Sequence, residues 1–158
     1  MKNFAHALSY ALLLALLAGC DGLGSILDII DAAPTTVGVS FVNTTDFPVD
    51  VEFFTSDEDQ ILRDLLTNDN IGNLTAFVVP AGETVDLPPQ SCDELQAMTI
   101  DNAELRILGG LGPSEQAPVL RDGENFSCGD RVTFTFRSAD VADLSIGTSF
   151  APLTEATP

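Results

Sequence analysis

The sequence predicts an all-β domain, an antiparallel β-sandwich of about eight strands with one short helical insertion. Apolar and polar residues alternate over several short runs, and turn-forming residues recur about every ten positions. From Thr36 onward, one segment has apolar residues at helical spacing instead. We expect the sandwich to span residues 35–151, which is the size of a single domain.

The first strands are indicated by alternation. Val, Val and Phe in 37–41 and Val, Val and Phe in 49–53 each define one apolar face. The turn residues of 43–46 separate them, which predicts a hairpin with one face buried. The run Leu74–Val79 is almost continuously apolar, which is typical of a strand covered on both faces. Pro80-Ala81-Gly82 then turns the chain into the next strand.

The helical insertion is predicted at about 57–66. Ser56 is a helix-capping residue type, and three acidic residues follow it in 57–59, where they suit a helix N-terminus. Apolar residues in 61–66 recur at the spacing of one helical face.

The second half of the domain again shows strand patterns. Met98 and Ile100 occupy even positions but Leu105 and Ile107 odd ones, which predicts a bulge or turn at Asp101-Asn102. Before them, the capping-box spacing of residues 91–94 predicts a single helical turn. The glycine-rich stretch 109–113 lacks the lysine of a phosphate-binding loop, so we interpret it as an ordinary loop that binds no nucleotide.

The C-terminal part begins with Asp122-Gly123, a two-residue hairpin signal between 119–121 and 124–128. Alternation in 131–137 predicts another strand, and apolar residues at even positions in 144–150 predict the last. We expect 152–158 to be a disordered tail.

The N-terminus carries a targeting signal. Lys2 is followed by a short apolar segment that ends in Leu17-Ala18-Gly19-Cys20, which resembles the lipobox of bacterial lipoproteins. The resemblance implies that residues 1–19 are removed, that the Cys20 thiol carries a diacylglycerol, and that 20–34 is a tether. It also implies a protein exported and lipid-anchored to the bacterial cell envelope, on its periplasmic or surface face. The alternative is an ordinary signal peptide that is cut near Ala18.

The cysteine count agrees with lipidation. If Cys20 is a thioether, Cys92 and Cys128 remain, and an even pair in an oxidising compartment favours a disulfide. Two thiols without a nearby histidine make a poor metal site, and redox pairs are normally close in sequence.

Removal of residues 1–19 excludes much chemistry. The only histidine, lysine and tyrosine lie in that segment, so the mature chain would have five arginines against 24 acidic residues, a formal net charge of −19. Catalysis by histidine, Ser-His-Asp hydrolysis and Schiff-base lysines all need side chains that it lacks. Nucleic-acid binding needs clustered cations. We therefore predict a protein that is not an enzyme, has no catalytic residues or cofactor, and binds no nucleic acid.

The acidic excess indicates a self-repelling, hydrated surface, and the alternatives are calcium binding and adaptation to a salty medium. The candidate calcium ligands are Asp57, Asp59 and Asp69, which flank the predicted helix. Their spacing does not fit an EF-hand loop, and helix capping accounts for the same residues.

A second resemblance concerns the fold. The stretches Phe41-Val42-Asn43 and Pro48-Val49-Asp50-Val51, with Pro80-Ala81-Gly82 before a strand, resemble the opening of the prealbumin-like sandwiches, including the von Hippel-Lindau β domain. This resemblance implies a fold and no activity. The sequence thus predicts an envelope lipoprotein that is structural or binds an envelope protein partner through a sheet edge or loops. The alternative is a calcium-dependent adhesion or ligand-binding module.

Overall fold

The computed structural model of the protein describes residues 34–68, 70–107 and 110–153. They form ten strands and one short helix. The strands are β1 (Thr36–Asn43), β2 (Val49–Ser56), β3 (Asn73–Val79), β4 (Thr84–Asp86), β5 (Gln90–Ser91), β6 (Ala97–Ile107), β7 (Gly110–Glu115), β8 (Leu120–Arg121), β9 (Asp130–Arg137) and β10 (Ser145–Pro152), and the helix α1 is Arg63–Leu66.

The strands form two sheets that pack as a β-sandwich, which confirms the predicted fold class. The first sheet has the order β10-β9-β1-β4, with β5 also paired to β1, and the second has the order β3-β2-β6-β7, with β8 also paired to β6. All pairs are antiparallel except β1 with β9. The two-residue strands β5 and β8 raise the number of strands above the predicted eight.

The predicted hairpin between the first two strands is wrong, because β1 and β2 belong to different sheets. The link between them crosses the edge of the sandwich. Asn43 holds it by donating from Nδ2 to the Phe47 and Val79 carbonyls and accepting from Thr45 at Oδ1. Both strands alternate because each faces the same core, so alternation alone did not distinguish pairing from packing face to face.

Phenylalanines from both sheets form the centre of the core. The Phe41 ring on β1 contacts Phe53 of the opposite sheet edge to face at 5.2 Å and stacks on Phe134 of β9 at 5.4 Å. All three side chains are buried. Buried aromatic pairs of this geometry add stabilisation to that from area burial, so this cluster joins the two sheets.

The predicted bulge in the sixth strand is confirmed. Glu52 pairs with Asn102 whereas Phe53 pairs with Ile100, so Asp101 is the extra residue on β6. The inserted residue moves the apolar set from even to odd positions while both halves of the strand keep their apolar side chains in the core.

The helical insertion is shorter than predicted. Ser56 ends β2, Leu62 is extended, and the helix is limited to Arg63–Leu66. The Arg121 guanidinium donates to the carbonyls of Asp59 and Ile61. The Ile61 side chain is buried in a second small cluster with Phe54, Leu66 and Ala97. The side chain and carbonyl of Ile61 are thus fixed by tertiary contacts, so residues 57–62 follow a non-helical path.

Three further expectations are wrong. The strand from Leu74 is not covered on both faces, since most of β3 is exposed at the edge of its sheet. The stretch around Gly110 is not a loop but pairs with β6 as β7. Asp122-Gly123 does turn the chain, with Gly123 at φ +73°, but no hairpin strand follows, because Asn125 folds back onto the Arg121 amide and carbonyl.

The expected signal peptide, Cys20 and almost all of the tether lie outside the described residues, as does the tail beyond Leu153. The last strand includes Pro152, the first residue of the expected tail. Among the residues that the structure describes, no helix is long and apolar enough to cross a membrane.

Candidate functional site

Each sheet ends in two outer strands, and two of these four edges are protected against pairing with another chain. Edge strand β4 has three residues, ends in Asp86 and follows Glu83. Edge strand β7 contains Pro113 and ends in Glu115, and its register with β6 is irregular. Short length, charge, proline and irregularity are the devices by which proteins prevent edge-to-edge association.

The edge formed by β3 has none of these devices. This strand of seven residues pairs with β2 over its whole length, and β2 is its single partner among the described residues. No charged residue occurs in 71–82, and the single proline of that stretch, Pro80, follows the last residue of the strand. Runs of apolar and β-branched residues without charge pair readily with added strands. β3 is therefore an open template for strand addition.

The edge formed by β10 is long but partly covered. Its eight residues carry no charge of their own. The Arg137 guanidinium of the neighbouring strand lies over Gly147, because a Cβ placed on that glycine would be 2.9 Å from Nη1. Pro152 ends the strand. A charge and a proline thus disfavour an added strand here.

A shallow groove runs beside β3 on the outer face of the second sheet. It is lined by Asp50, Val51, Glu52, Ala76, Phe77, Val78, Asn102, Glu104 and Arg106. The lining holds three carboxylates and one guanidinium. We call it the acidic groove.

The Arg106 guanidinium is held by Asp50. Its Nη2 donates to Asp50 Oδ1 at 2.6 Å, and its Nε donates to Oδ2 of the same carboxylate. This hydrogen-bonded contact, with the Coulombic attraction, raises the pKa of Arg106 above its ordinary value. Arg106 neutralises one carboxylate, so Glu52 and Glu104 leave the acidic groove with a net negative charge.

The other end of this outer face is covered by the segment between β2 and β3. Arg63 fastens it by donating to the Ala117 carbonyl at 2.6 Å, to the Ile100 carbonyl at 3.2 Å and to the Asp101 carboxylate at 3.2 Å. The bulge at Asp101 therefore carries the carboxylate that pairs with α1. These contacts fix the loop from which β3 begins.

That loop exposes apolar side chains. Within the described residues, six large hydrophobic side chains are exposed, and four of them are Leu62, Leu65, Ile71 and Leu74. A concentration of exposed apolar residues at the start of an open edge strand is typical of a surface that binds protein.

The structure joins Cys92 and Cys128, the predicted pair, in a disulfide with Cα atoms 5.6 Å apart. The Cys92 amide donates to the Thr35 carbonyl, and the Gly129 amide donates to the Thr36 carbonyl. The disulfide therefore lies where the chain enters β1, next to the last residues of the expected tether.

Of the three candidate calcium ligands, Asp57 and Asp59 lie in the part of the chain that the structure describes. Asp57 and Asp59 are exposed, and Asp69 lies outside the part of the chain that the structure describes. No group of three or more acidic, histidine or cysteine side chains placed to hold a metal ion occurs within those described residues. Asp59 instead offers its backbone carbonyl to Arg121.

Sequence reasoning named no residue of the open edge or of the acidic groove as part of a candidate site. The uncharged run 71–82 does not single out this edge, because the uncharged run 32–45, which contains the interior strand β1, is longer. The positions that share the groove depend on strand order, which pairs Glu52 with both Ala76 and Asn102. That pairing could not be read from the sequence.

Comparison with known proteins finds one similar solved structure and no matching family. No family model and no curated protein matches this chain. The crystal structure of the T6SS lipoprotein TssJ1 from Pseudomonas aeruginosa is similar at a TM-score of 0.41 and 16% identity, over 75% of this chain and 99% of that one. A similarity of that size assigns neither a family nor a function to this chain.

Proposed function

We propose that this protein is a lipid-anchored lipoprotein of the bacterial cell envelope that binds a protein partner by adding a strand to an open sheet edge. It acts without catalysis and without a cofactor. Acylation of Cys20 holds it at a membrane, and the sandwich presents the edge to the partner.

One observation supports the binding role above the others. A strongly acidic protein protects the edges at β4 and β7 but leaves β3 without charge, proline or irregularity. An unprotected edge promotes aggregation in an isolated domain, so its retention favours a partner that covers it. The exposed apolar residues that lead into β3 support the same role.

The lipid anchor is supported by the sequence pattern at Cys20 and is tested separately. Wild-type protein and a Cys20→Ser variant are produced in the native host with a C-terminal tag, and membranes are separated from the unbound fraction. We expect wild-type protein in the membranes, with the mass of a diacylated or triacylated N-terminal cysteine, and the variant outside them. A wild-type protein that is cut near Ala18 and carries no lipid would contradict the anchor.

The binding role is tested by crosslinking envelopes and recovering the tagged protein, with and without a calcium chelator. We expect the same envelope protein in both samples. Loss of the partner on chelation would instead support the calcium-dependent adhesion module, and recovery of no specific partner would refute the proposed function.

A further inference from the structure

We propose that β3 is the strand that receives the partner, and that the partner segment is extended and alternates basic with apolar residues. This inference rests on the proposed function and deepens it, because it names the edge and the chemistry of the segment. Three features of the structure lead to it, namely the β3 backbone, its inner face and its outer face.

The backbone of β3 offers a long pairing surface. Its seven residues extend for about 23 Å at the usual rise of a strand. Alternate residues of an outer strand direct their amide and carbonyl groups away from the sheet, so a segment of six or seven residues would form a regular ladder on it.

The inner face of β3 favours apolar side chains in the partner segment. Thr75, Phe77 and Val79 point toward the core, since they pair with the buried residues Phe53, Val51 and Val49. Phe77 is half-buried although its ring lies edge to face with Phe41 at 4.8 Å. An apolar partner side chain opposite Phe77 would remove the rest of this ring from water.

The outer face of β3 favours basic side chains in the partner segment. Ala76 and Val78 lie on this face and pair with Glu52 and Asp50. Strands are spaced about 4.8 Å apart, so a strand added to β3 lies about 10 Å from the β2 carboxylates. The small side chains of Ala76 and Val78 leave that path open, and a lysine or arginine of the partner spans it. Since Arg106 already neutralises Asp50, Glu52 is the nearest carboxylate left for the partner's cation.

Matched variants at one exposed position test both the edge and the charge. Ala76→Lys places a cation beside Glu52, which repels a basic segment, whereas Ala76→Glu adds a carboxylate at the same site. Ser149→Lys on β10 is the control for a new charge at the other long edge. Unchanged circular dichroism and thermal midpoints would show that the three variants fold as the wild type does.

A photoreactive phenylalanine analogue is placed at Leu74 on β3 or at Phe150 on β10 in the full-length protein. The proteins are irradiated in native envelopes, and the crosslinked peptides are sequenced by mass spectrometry. We expect Leu74 to capture a segment of alternating basic and apolar residues. The yield should fall at least fivefold with Ala76→Lys and be retained or increased with Ala76→Glu, and Ser149→Lys should have no effect.

The other outcomes separate the two proposals. The inference about β3 would be overturned if Phe150 alone captures a protein, or if the captured segment is acidic or does not alternate. It would also be overturned if the segment belongs to this chain or to a second copy, or if Ala76→Lys and Ala76→Glu give equal yields. If another envelope protein is captured in any of these cases, the proposed function still stands. If neither strand position captures a protein, and photoreactive residues placed in the loops capture none either, the inference about β3 and the proposed function would both be overturned.

Discussion

The Cys92–Cys128 disulfide should contribute strongly to the free energy of unfolding of this domain. The perturbation is the double variant Cys92→Ser/Cys128→Ser, which keeps both side chains small. The two cysteines are 36 residues apart in sequence. In the chain-entropy treatment, closure of a loop of that length removes unfolded-state freedom worth about 4 kcal/mol at 25 °C.

The assay is equilibrium unfolding in denaturant, followed by circular dichroism. We expect the double variant to lose about 4 kcal/mol of unfolding free energy. Its thermal midpoint should fall by about 15 °C, given the entropy of unfolding of a domain of this size. Wild-type protein in reductant is the matched control and should behave as the variant does.

A loss below about 1 kcal/mol would refute the reasoning, because it would mean that the bond does not restrict the unfolded chain. A large loss in the variant together with no effect of reductant on unfolding of the wild type would also contradict it, since the serine substitutions would then act through packing near Thr35 and not through the crosslink.

Three further variants test the contacts that position the edge. Arg63→Met should cost about 2–3 kcal/mol, because the carbonyls that Arg63 binds lose a charged donor, and amide exchange should speed up in 62–72 first. Asn43→Ala should cost about 3 kcal/mol, as measured in denaturant, because it removes the amide that donates to the Phe47 carbonyl of the β1–β2 link and to the Val79 carbonyl at the end of β3. Arg106→Gln should leave the unfolding midpoint close to that of the wild type, because its pair with Asp50 is exposed. A smaller loss for Arg63→Met than for Arg106→Gln would show that the contacts are ranked wrongly.

The sequence predicted those parts of the fold in which one residue pattern has one physical solution. The switch from even to odd apolar positions after Ile100 predicts a bulge or a turn at Asp101-Asn102, and the structure has a bulge there, with Asp101 as the extra residue. The alternation in 131–137 required a strand with one buried face, and Val132, Phe134 and Phe136 are buried on β9.

Where two arrangements satisfy the same pattern, the sequence could not decide between them. Alternation in β1 and β2 is compatible with a hairpin and with two strands that face each other across the core. The run from Leu74 is as apolar as a central strand, yet it lies at an edge. Strand order depends on long-range pairing, so the local pattern could not predict this position. Its exposure is what makes it a candidate site.

The insertion at 57–66 shows a different limit. Capping and periodicity favoured a helix through the whole segment, but Arg121, about sixty residues later, binds two of its carbonyls and Ile61 is buried. Such tertiary contacts outweigh local propensity, which differs by only about 1 kcal/mol per residue or less.

The central claim is that a partner strand pairs with β3. Once the partner segment is known, amide hydrogen exchange of the protein with and without a synthetic peptide of that segment tests it most directly. We expect slower exchange of alternate amides in Asn73–Val79 and unchanged exchange in Ser145–Pro152. Protection of β10 or of the loops while β3 exchanges as in the unbound protein would contradict the account.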